Sequence, residues 1–259
     1  MARWLAAAYG VAAYSVFLAT FLYAIAFVGD FLVPRTVDVG PSAPLATALL
    51  VNVLLLGRFA VQHSLMARPW FKRRWTQVVP ESAERATFVL AASLTLALLF
   101  WLWRPIDGTV WTVAGPAAGA LWAAYATGWV VTVGSTFLIS HGDLFGLRQA
   151  WQHARPGGYE PPPFTEGRVY GRVRHPLMLG FLIVFWSTPT MTAGHLLFAA
   201  ASTGYVLVGI AFEEHDLTQS LGGAYTAYRA RVPALVPRLS RRPPASDSPR
   251  CEDERLEGR

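Results

Sequence analysis

Long apolar runs separated by short polar segments dominate the chain. Four of them, 4–28, 45–67, 86–103 and 116–139, qualify against the ~20 apolar residues that a helix needs to cross a hydrocarbon core, the third only just. A fifth apolar region, 177–212, is too long for one crossing and is broken by Thr188-Pro189-Thr190-Met191-Thr192-Ala193-Gly194. The pattern predicts a helical hairpin there, 177–188 and 195–212, with a short first arm. The expected fold class is all-α integral membrane, with five to six transmembrane helices, the C-terminal pair being the hairpin. The first run, Trp4 to Val28, is too long for a signal-peptide core and lacks a cleavage pattern, so it reads as the first span.

Composition agrees. Hydrophobic residues make up 53% and charged residues 15%, against roughly 25% charged in a soluble domain that has a polar shell to build. The lone Cys251 excludes an intramolecular disulfide, and no Cys/His spacing suggests a metal. The net charge of +6 does not point to nucleic acid, because the basic residues fall beside apolar spans, as the positive-inside rule produces. With the N-terminus inside, one side holds Arg3, Arg68, Lys72, Arg73, Arg74, Arg85, Arg148, Arg155, Arg168, Arg172 and Arg174, then the arginines after the last span. The other side holds only Arg35 and Arg104. Both termini and both polar regions, 141–176 and 213–237, are therefore expected in the cytoplasm. Residues 1–239 read as one membrane domain, with its cofactor half at about 141–237. Residues 240–259 read as a disordered tail, because Arg, Pro, Ser, Asp and Glu there leave little to bury.

Four polar clusters interrupt the apolar pattern. Arg58 with Gln62-His63-Ser64 lies in the second span, where ionisable groups are costly and usually face protein. A helix–helix hydrogen-bond network explains Arg58 and Gln62 as well as function does, while His63, near the cytoplasmic end, can line a cavity. The second cluster, Ser140-His141-Gly142-Asp143, follows the fourth span. Asp143 either caps a short helix or orients His141 as a base.

The third cluster runs from Tyr170 through Arg174-His175-Pro176 to Gly180. Pro suits a helix start, and that start beside Arg174 and His175 offers donors to an anion. The fourth, Glu213-Glu214-His215-Asp216 with Tyr225 and Tyr228 beyond, sets three acids at an expected helix C-terminus, against the macrodipole. A cationic ligand relieves that conflict, and so do salt bridges to Arg172 or Arg229. One ligand fits both clusters: S-adenosylmethionine, with its carboxylate for Arg174, its ammonium, diol and sulfonium for Glu213 and Glu214, and its adenine for Tyr225 and Tyr228.

Tyr-x-x-x-Arg-His-Pro-x-x-x-Gly at 170–180, the hairpin, Glu213-Glu214, then Tyr225, Tyr228, Val232-Pro233 and Pro237 resemble the isoprenylcysteine carboxyl methyltransferase and phospholipid methyltransferase superfamily. The 59–72 segment with Gln62-His63-Ser64 is similar to its NnrU-like branch. Together with Asp143-Leu144-Phe145-Gly146-Leu147-Arg148-Gln149, it looks most like the bacterial methanethiol S-methyltransferases. The family's Asn-His-x-Asp pattern is here Ser140-His141-Gly142-Asp143.

The resemblance implies a bacterial inner-membrane enzyme that methylates a small thiol with S-adenosylmethionine. Its cofactor would be bound by Tyr170, Arg174, His175, Pro176, Gly180, Glu213, Glu214, Tyr225 and Tyr228. Thiol activation would fall to His141, oriented by Asp143, with His63 as the competing base. Methylation of a prenylcysteine carboxylate or a phospholipid amine, and a non-catalytic NnrU-like membrane protein, stand as alternatives. Neither oligomeric state nor a metal site is legible.

Overall fold

The computed structural model describes residues 2–153 and 169–237. The expected tail at 240–259 lies outside the described residues, as do Arg155 and Arg168 of the basic segments. Five helices are long and apolar enough to cross a membrane: α1 (Ala2–Gly29), α2 (Leu45–Ala67), α4 (Glu81–Leu102), α5 (Pro116–Ile139) and α9 (Ala193–Leu221). Short helices α3 (Pro69–Trp75), α6 (His141–Leu144), α7 (Leu147–Gln152), α8 (Pro176–Trp186) and α10 (Gly223–Arg231) fill the connections. β1 (Thr109–Thr112) and β2 (Thr190–Thr192) pair antiparallel. The all-α membrane architecture and the C-terminal helical hairpin, α8 with α9, are as expected.

Two boundaries differ from the sequence pattern. The third span begins at Glu81 rather than 86, because Pro80 starts the helix and a polar first turn with Glu81 and Glu84 suits the helix N-terminus. The last helix continues to Leu221 rather than ending at 212. Glu213 and Glu214 thus lie about two turns inside it, where the macrodipole, which acts over the last turn, scarcely opposes them. The conflict read from the sequence is removed.

The core is aromatic. Phe27, Phe100, Trp103, Trp129 and Phe198 are buried together with Val184 and Leu99. α5 and α8 pack by close backbone approach: Gly128 and Gly180 face each other, with Thr132 against Gly180. The outward faces stay apolar, with Leu50, Leu54, Val61, Val130, Leu207 and Val208 exposed, as helices meeting lipid require. Arg58 stands exposed on α2, beside exposed Leu54 and Val61, and so joins no interior network with Gln62.

Polar loops gather at the two ends. At one end, 30–44, 103–115 and 187–192 interlock. Asn52 is fully buried and brackets Arg104, donating to its carbonyl at 2.7 Å and accepting from its N–H at 2.9 Å. Trp103 Nε1 donates to Val37 O at 3.0 Å, and Thr192 donates to Asp38. At the other end lie α3, α6, α7, residues 169–175 and α10, with most of the described Arg and Lys residues.

Candidate active site

Residues 169–175 and 232–234 are stitched together by backbone bonds, Arg174 N–H to Pro233 O and His175 N–H to Ala234 O, both at 3.0 Å. Gly222, at φ 58°, lets the chain reverse from α9 into α10. Tyr225, Tyr228 and Val232 then bury against Leu217 and Leu221. Tyr228 donates to Tyr170 O at 2.7 Å. These pieces clamp one polar centre.

Arg174 and Glu214 form that centre, both side chains 8% exposed. Arg174 Nε and Nη2 reach Glu214 Oε1 at 2.8 and 2.5 Å, and Nη1 donates to Arg229 O at 3.0 Å and to Val232 O. His175 Nε2 lies 3.1 Å from the same carboxylate and Nδ1 3.5 Å from Glu213. Arg229 Nε completes it, 3.2 Å from Glu214 Oε2. Burial by itself lowers the His175 pKa, but the hydrogen bonds and charges of Glu213 and Glu214 outweigh it and leave the ring above its ordinary range.

The two polar clusters expected to share one ligand are therefore brought together, with differences in detail. Arg174 is committed to Glu214 and to backbone carbonyls, so the salt-bridge solution, through Arg229 as well, is realised here. Tyr225 and Tyr228 are 1% and 2% exposed and form core rather than a stacking surface. Gly180 lies against α5, and Pro176 is a buried first residue of α8. Tyr170 keeps a buried hydroxyl without a hydrogen-bond partner among the described residues, its pKa pushed up to about 12 by burial first and by Glu213 next.

Beside Glu214 runs an open groove of about 400 Å³ along α9 and α10, lined by Leu207, Ile210, Ala211, Glu214, Thr218 and Arg229 among others. The opposite side of α9 faces α2. Tyr205, Phe212 and Asp216 share that stripe, about half a turn from Glu214 at 3.6 residues per turn. Ser64 lies 3.3 Å from the Tyr205 hydroxyl, Arg68 pairs with Asp216 at 3.1 Å, and His63 stacks among Phe59, Phe88 and Tyr205. His63 is thus separated from the Glu214 centre by the body of α9.

His141 lies elsewhere. The α5–α6 reversal is made at Ser140, φ 155°, whose hydroxyl donates to Asp143 at 2.5 Å. Arg148 also donates to Asp143, at 2.8 Å. Asp143 does not orient the His141 ring: Nε2 meets the Tyr14 hydroxyl and Nδ1 meets Thr136 Oγ1, each at 2.8 Å. It holds the turn that places the ring. Burial keeps the His141 pKa below its ordinary range.

The α5–α8 register links this histidine to the clamp. Thr132 abuts Gly180 and Gly128 abuts Val184, so the helices run antiparallel. Continued by one turn, that register runs from Thr132 and Gly180 toward Thr136 on α5 and Pro176 on α8. Tyr14 and Thr136 were missed in the sequence because hydroxyl residues such as Ser15, Thr20, Thr127, Thr132 and Ser135 recur along the same apolar spans, with no spacing to single out these two.

Comparison with known proteins decides the family. Over 238 residues the chain is 53% identical to methanethiol S-methyltransferase of Mycobacterium tuberculosis (strain ATCC 25618 / H37Rv), covering 92% of this chain and 98% of that protein. The chain belongs to the methanethiol S-methyltransferase family. Methanethiol S-methyltransferase 2 of Bradyrhizobium diazoefficiens is 51% identical over 244 residues, 93% of this chain and 94% of its own. A more distant relative, the Nurim homolog of Drosophila melanogaster, is 26% identical over 225 residues, 77% of this chain and 88% of its own. No family model matches the chain, and no solved structure does. Family membership and the membrane-spanning helices agree with the small-thiol branch expected from the 59–72 and 143–149 segments.

Proposed function

We propose that the chain methylates methanethiol to dimethyl sulfide, using S-adenosylmethionine, at the cytoplasmic face of a bacterial inner membrane. Identity of 53% across 98% of a methanethiol S-methyltransferase carries the reading. The polar clamp and its groove support it. On this reading residues 1–239 form one catalytic unit with both termini in the cytoplasm, the side that holds Lys72, Arg73, Arg74, Arg148 and Arg174.

The donor set fits S-adenosylmethionine. A groove of about 400 Å³ is within the usual range for such ligands, roughly 300–1,000 Å³. Glu213, 51% exposed, and the outer oxygen of Glu214 suit an ammonium or a ribose diol, and Arg229, 55% exposed, suits a carboxylate. Leu207, Ile210 and Ala211 offer an apolar wall for adenine. Arg174 and His175 hold Glu214 in place, and Tyr170 has a hydroxyl left to give. When bound, the cofactor supplies an electrophilic methyl group on a cationic sulfur. The acidic side chains favour that positive charge electrostatically.

What the protein must add is alignment, exclusion of water and a thiolate. Positioning of this kind contributes roughly 7–11 kcal/mol in favourable cases. A free thiol is mostly protonated at neutral pH, since even cysteine has a pKa of about 8.5. His141 is the base of this reading rather than His63, because α5 packs on α8, which leads into the clamp, whereas His63 sits on the far side of α9 among Phe59, Phe88 and Tyr205. Phe137 and Phe145 around it suit a small apolar substrate.

The test is headspace detection of dimethyl sulfide from membranes carrying the protein, given methanethiol and S-adenosylmethionine, beside a prenylcysteine analogue. Dimethyl sulfide without methylation of the analogue is expected. Methylation of the analogue alone, or neither product, overturns the proposal.

A further inference from the structure

The proton of a bound thiol has to leave, and the surroundings of His141 restrict its route. Thr136 has one hydroxyl proton and donates it to Val133 O at 2.7 Å. With its proton on Val133 O, the same oxygen accepts from His141 Nδ1, 2.8 Å away. A neutral imidazole carries one proton, so that proton is on Nδ1 and Nε2 is the bare nitrogen. The Tyr14 hydroxyl, 2.8 Å from Nε2, donates to it.

Aromatic rings cover the imidazole on both sides of this bond. Phe137 stacks on the imidazole at 4.4 Å between centroids and 10° between planes, and Phe145 packs against it at 4.8 Å. Both nitrogens are taken, so the acceptor the unit still offers is a lone pair of the Tyr14 oxygen. Phe17 and Phe145, stacked on each other at 4.0 Å, flank the Tyr14 ring at 5.8 and 5.9 Å. An S–H approaching that oxygen would have its methyl group against an aromatic wall.

We propose that Tyr14 is a catalytic residue, taking the thiol proton on its oxygen while passing its own to His141 Nε2, with Thr136 as the positioning residue that fixes the tautomer. This rests on the reading that the chain methylates methanethiol. In the step the S–H bond breaks and its electron pair stays on sulfur. An O–H bond forms on Tyr14 as its former O–H bond breaks, and an N–H bond forms on Nε2. Thiol and neutral imidazole become thiolate and imidazolium, with the Nδ1 proton still held by Thr136. The imidazolium later returns its proton to water.

The experiment has two parts. In detergent-solubilised, ¹⁵N-histidine-labelled protein, with His141→Gln used for assignment, the His141 resonances should report the Nδ1–H tautomer. Thr136→Val should shift the ring toward Nε2–H, and Thr136→Ser should restore it. In turnover with methanethiol, Tyr14→Phe should lower kcat at pH 7 by at least about 10-fold, general acid–base catalysis being worth typically 10²–10⁴-fold. KM for the thiol should stay within about twofold, and the deficit should shrink as pH rises and thiolate forms unaided. A deficit that does not change with pH would mark a merely structural role and overturn the proposal, as would full activity in Tyr14→Phe or an Nε2–H ring in the unaltered protein. Failure of the unaltered protein to make dimethyl sulfide would instead sink the reading on which it rests, and the tautomer measurement needs no turnover.

Discussion

Replacing Gly180 by alanine separates packing from ligand binding at a position the sequence motif shares with the cofactor residues. A Cβ there would lie 2.3 Å from Thr132 Oγ1 and 2.7 Å from both Gly128 O and Thr132 N. The hydroxyl can rotate away, but the two backbone atoms belong to α5 and can yield only if the helices move apart. Overpacking costs roughly 1–3 kcal/mol, and rigid neighbours put this site near about 3. Against that, alanine gains about 1 kcal/mol over glycine in a helix interior. The net loss is about 2 kcal/mol, a fall in Tm of roughly 4–8 °C for a chain of this size. Gly209→Ala, with nothing within 4 Å of its Cβ, keeps the propensity gain alone and should leave Tm unchanged or slightly raised. The assay is thermal unfolding in one detergent, with S-adenosylmethionine affinity measured well below Tm. An unchanged Tm in Gly180→Ala with a weakened cofactor Kd would refute the packing argument.

Arg174→Ala removes a buried fork from Glu214 but leaves Arg229 and His175 on it, so the loss should sit at the low end for a broken buried pair, about 3 kcal/mol. Cofactor affinity should fall with it, and Arg174→Lys should rescue poorly because it cannot form the fork; unchanged Tm and Kd in both variants would count against the clamp. His141→Ala should lower turnover with cofactor binding largely kept. Asp143→Asn should have a smaller effect, since Asp143 acts through the Ser140 turn, and equal kcat losses would contradict that order. Asp38, in the loop at the opposite end, has its carboxyl pushed up from 3.8 to about 6, by burial first and by Asp30, against the hydrogen bond from Thr192. The folded protein therefore binds this proton more tightly than the unfolded chain, and stability should fall as pH rises from about 4 to about 6. Asp38→Asn should flatten that portion of a Tm–pH curve, and an unaltered slope would count against the assignment.

The span count was legible in the sequence because a bilayer demands about 20 apolar residues per crossing, a constraint that one chain displays by itself. Arg174, His175, Glu213 and Glu214 stood out for a related reason: charge is rare in such a chain, so each instance is conspicuous. Three kinds of information were hidden. Helix ends in polar segments carry no periodic signal, so α9 could not be followed from 212 to 221. Partner choice depends on side-chain geometry, so His141 with Tyr14 and Thr136 could not be told from His141 with Asp143. Burial of polar aromatics depends on tertiary contacts, so Tyr225 and Tyr228 suited a ligand as well as they suit the core under α10.

The shortness of α8 has a consequence for how the protein enters a membrane. Its 11 residues rise about 16 Å at 1.5 Å each, roughly half of a ~30 Å hydrocarbon core. Such a segment is a poor stop-transfer signal by itself. Its integration should await both α9, synthesised after it, and the Gly128–Thr132 surface of α5, made before it. Until that docking, Arg174 and His175 have no partner in Glu214. Assembly of the cofactor centre is therefore set to be among the last events of biogenesis, and a chain truncated before Glu214 should leave residues 176–186 accessible to water-soluble thiol reagents at single introduced cysteines.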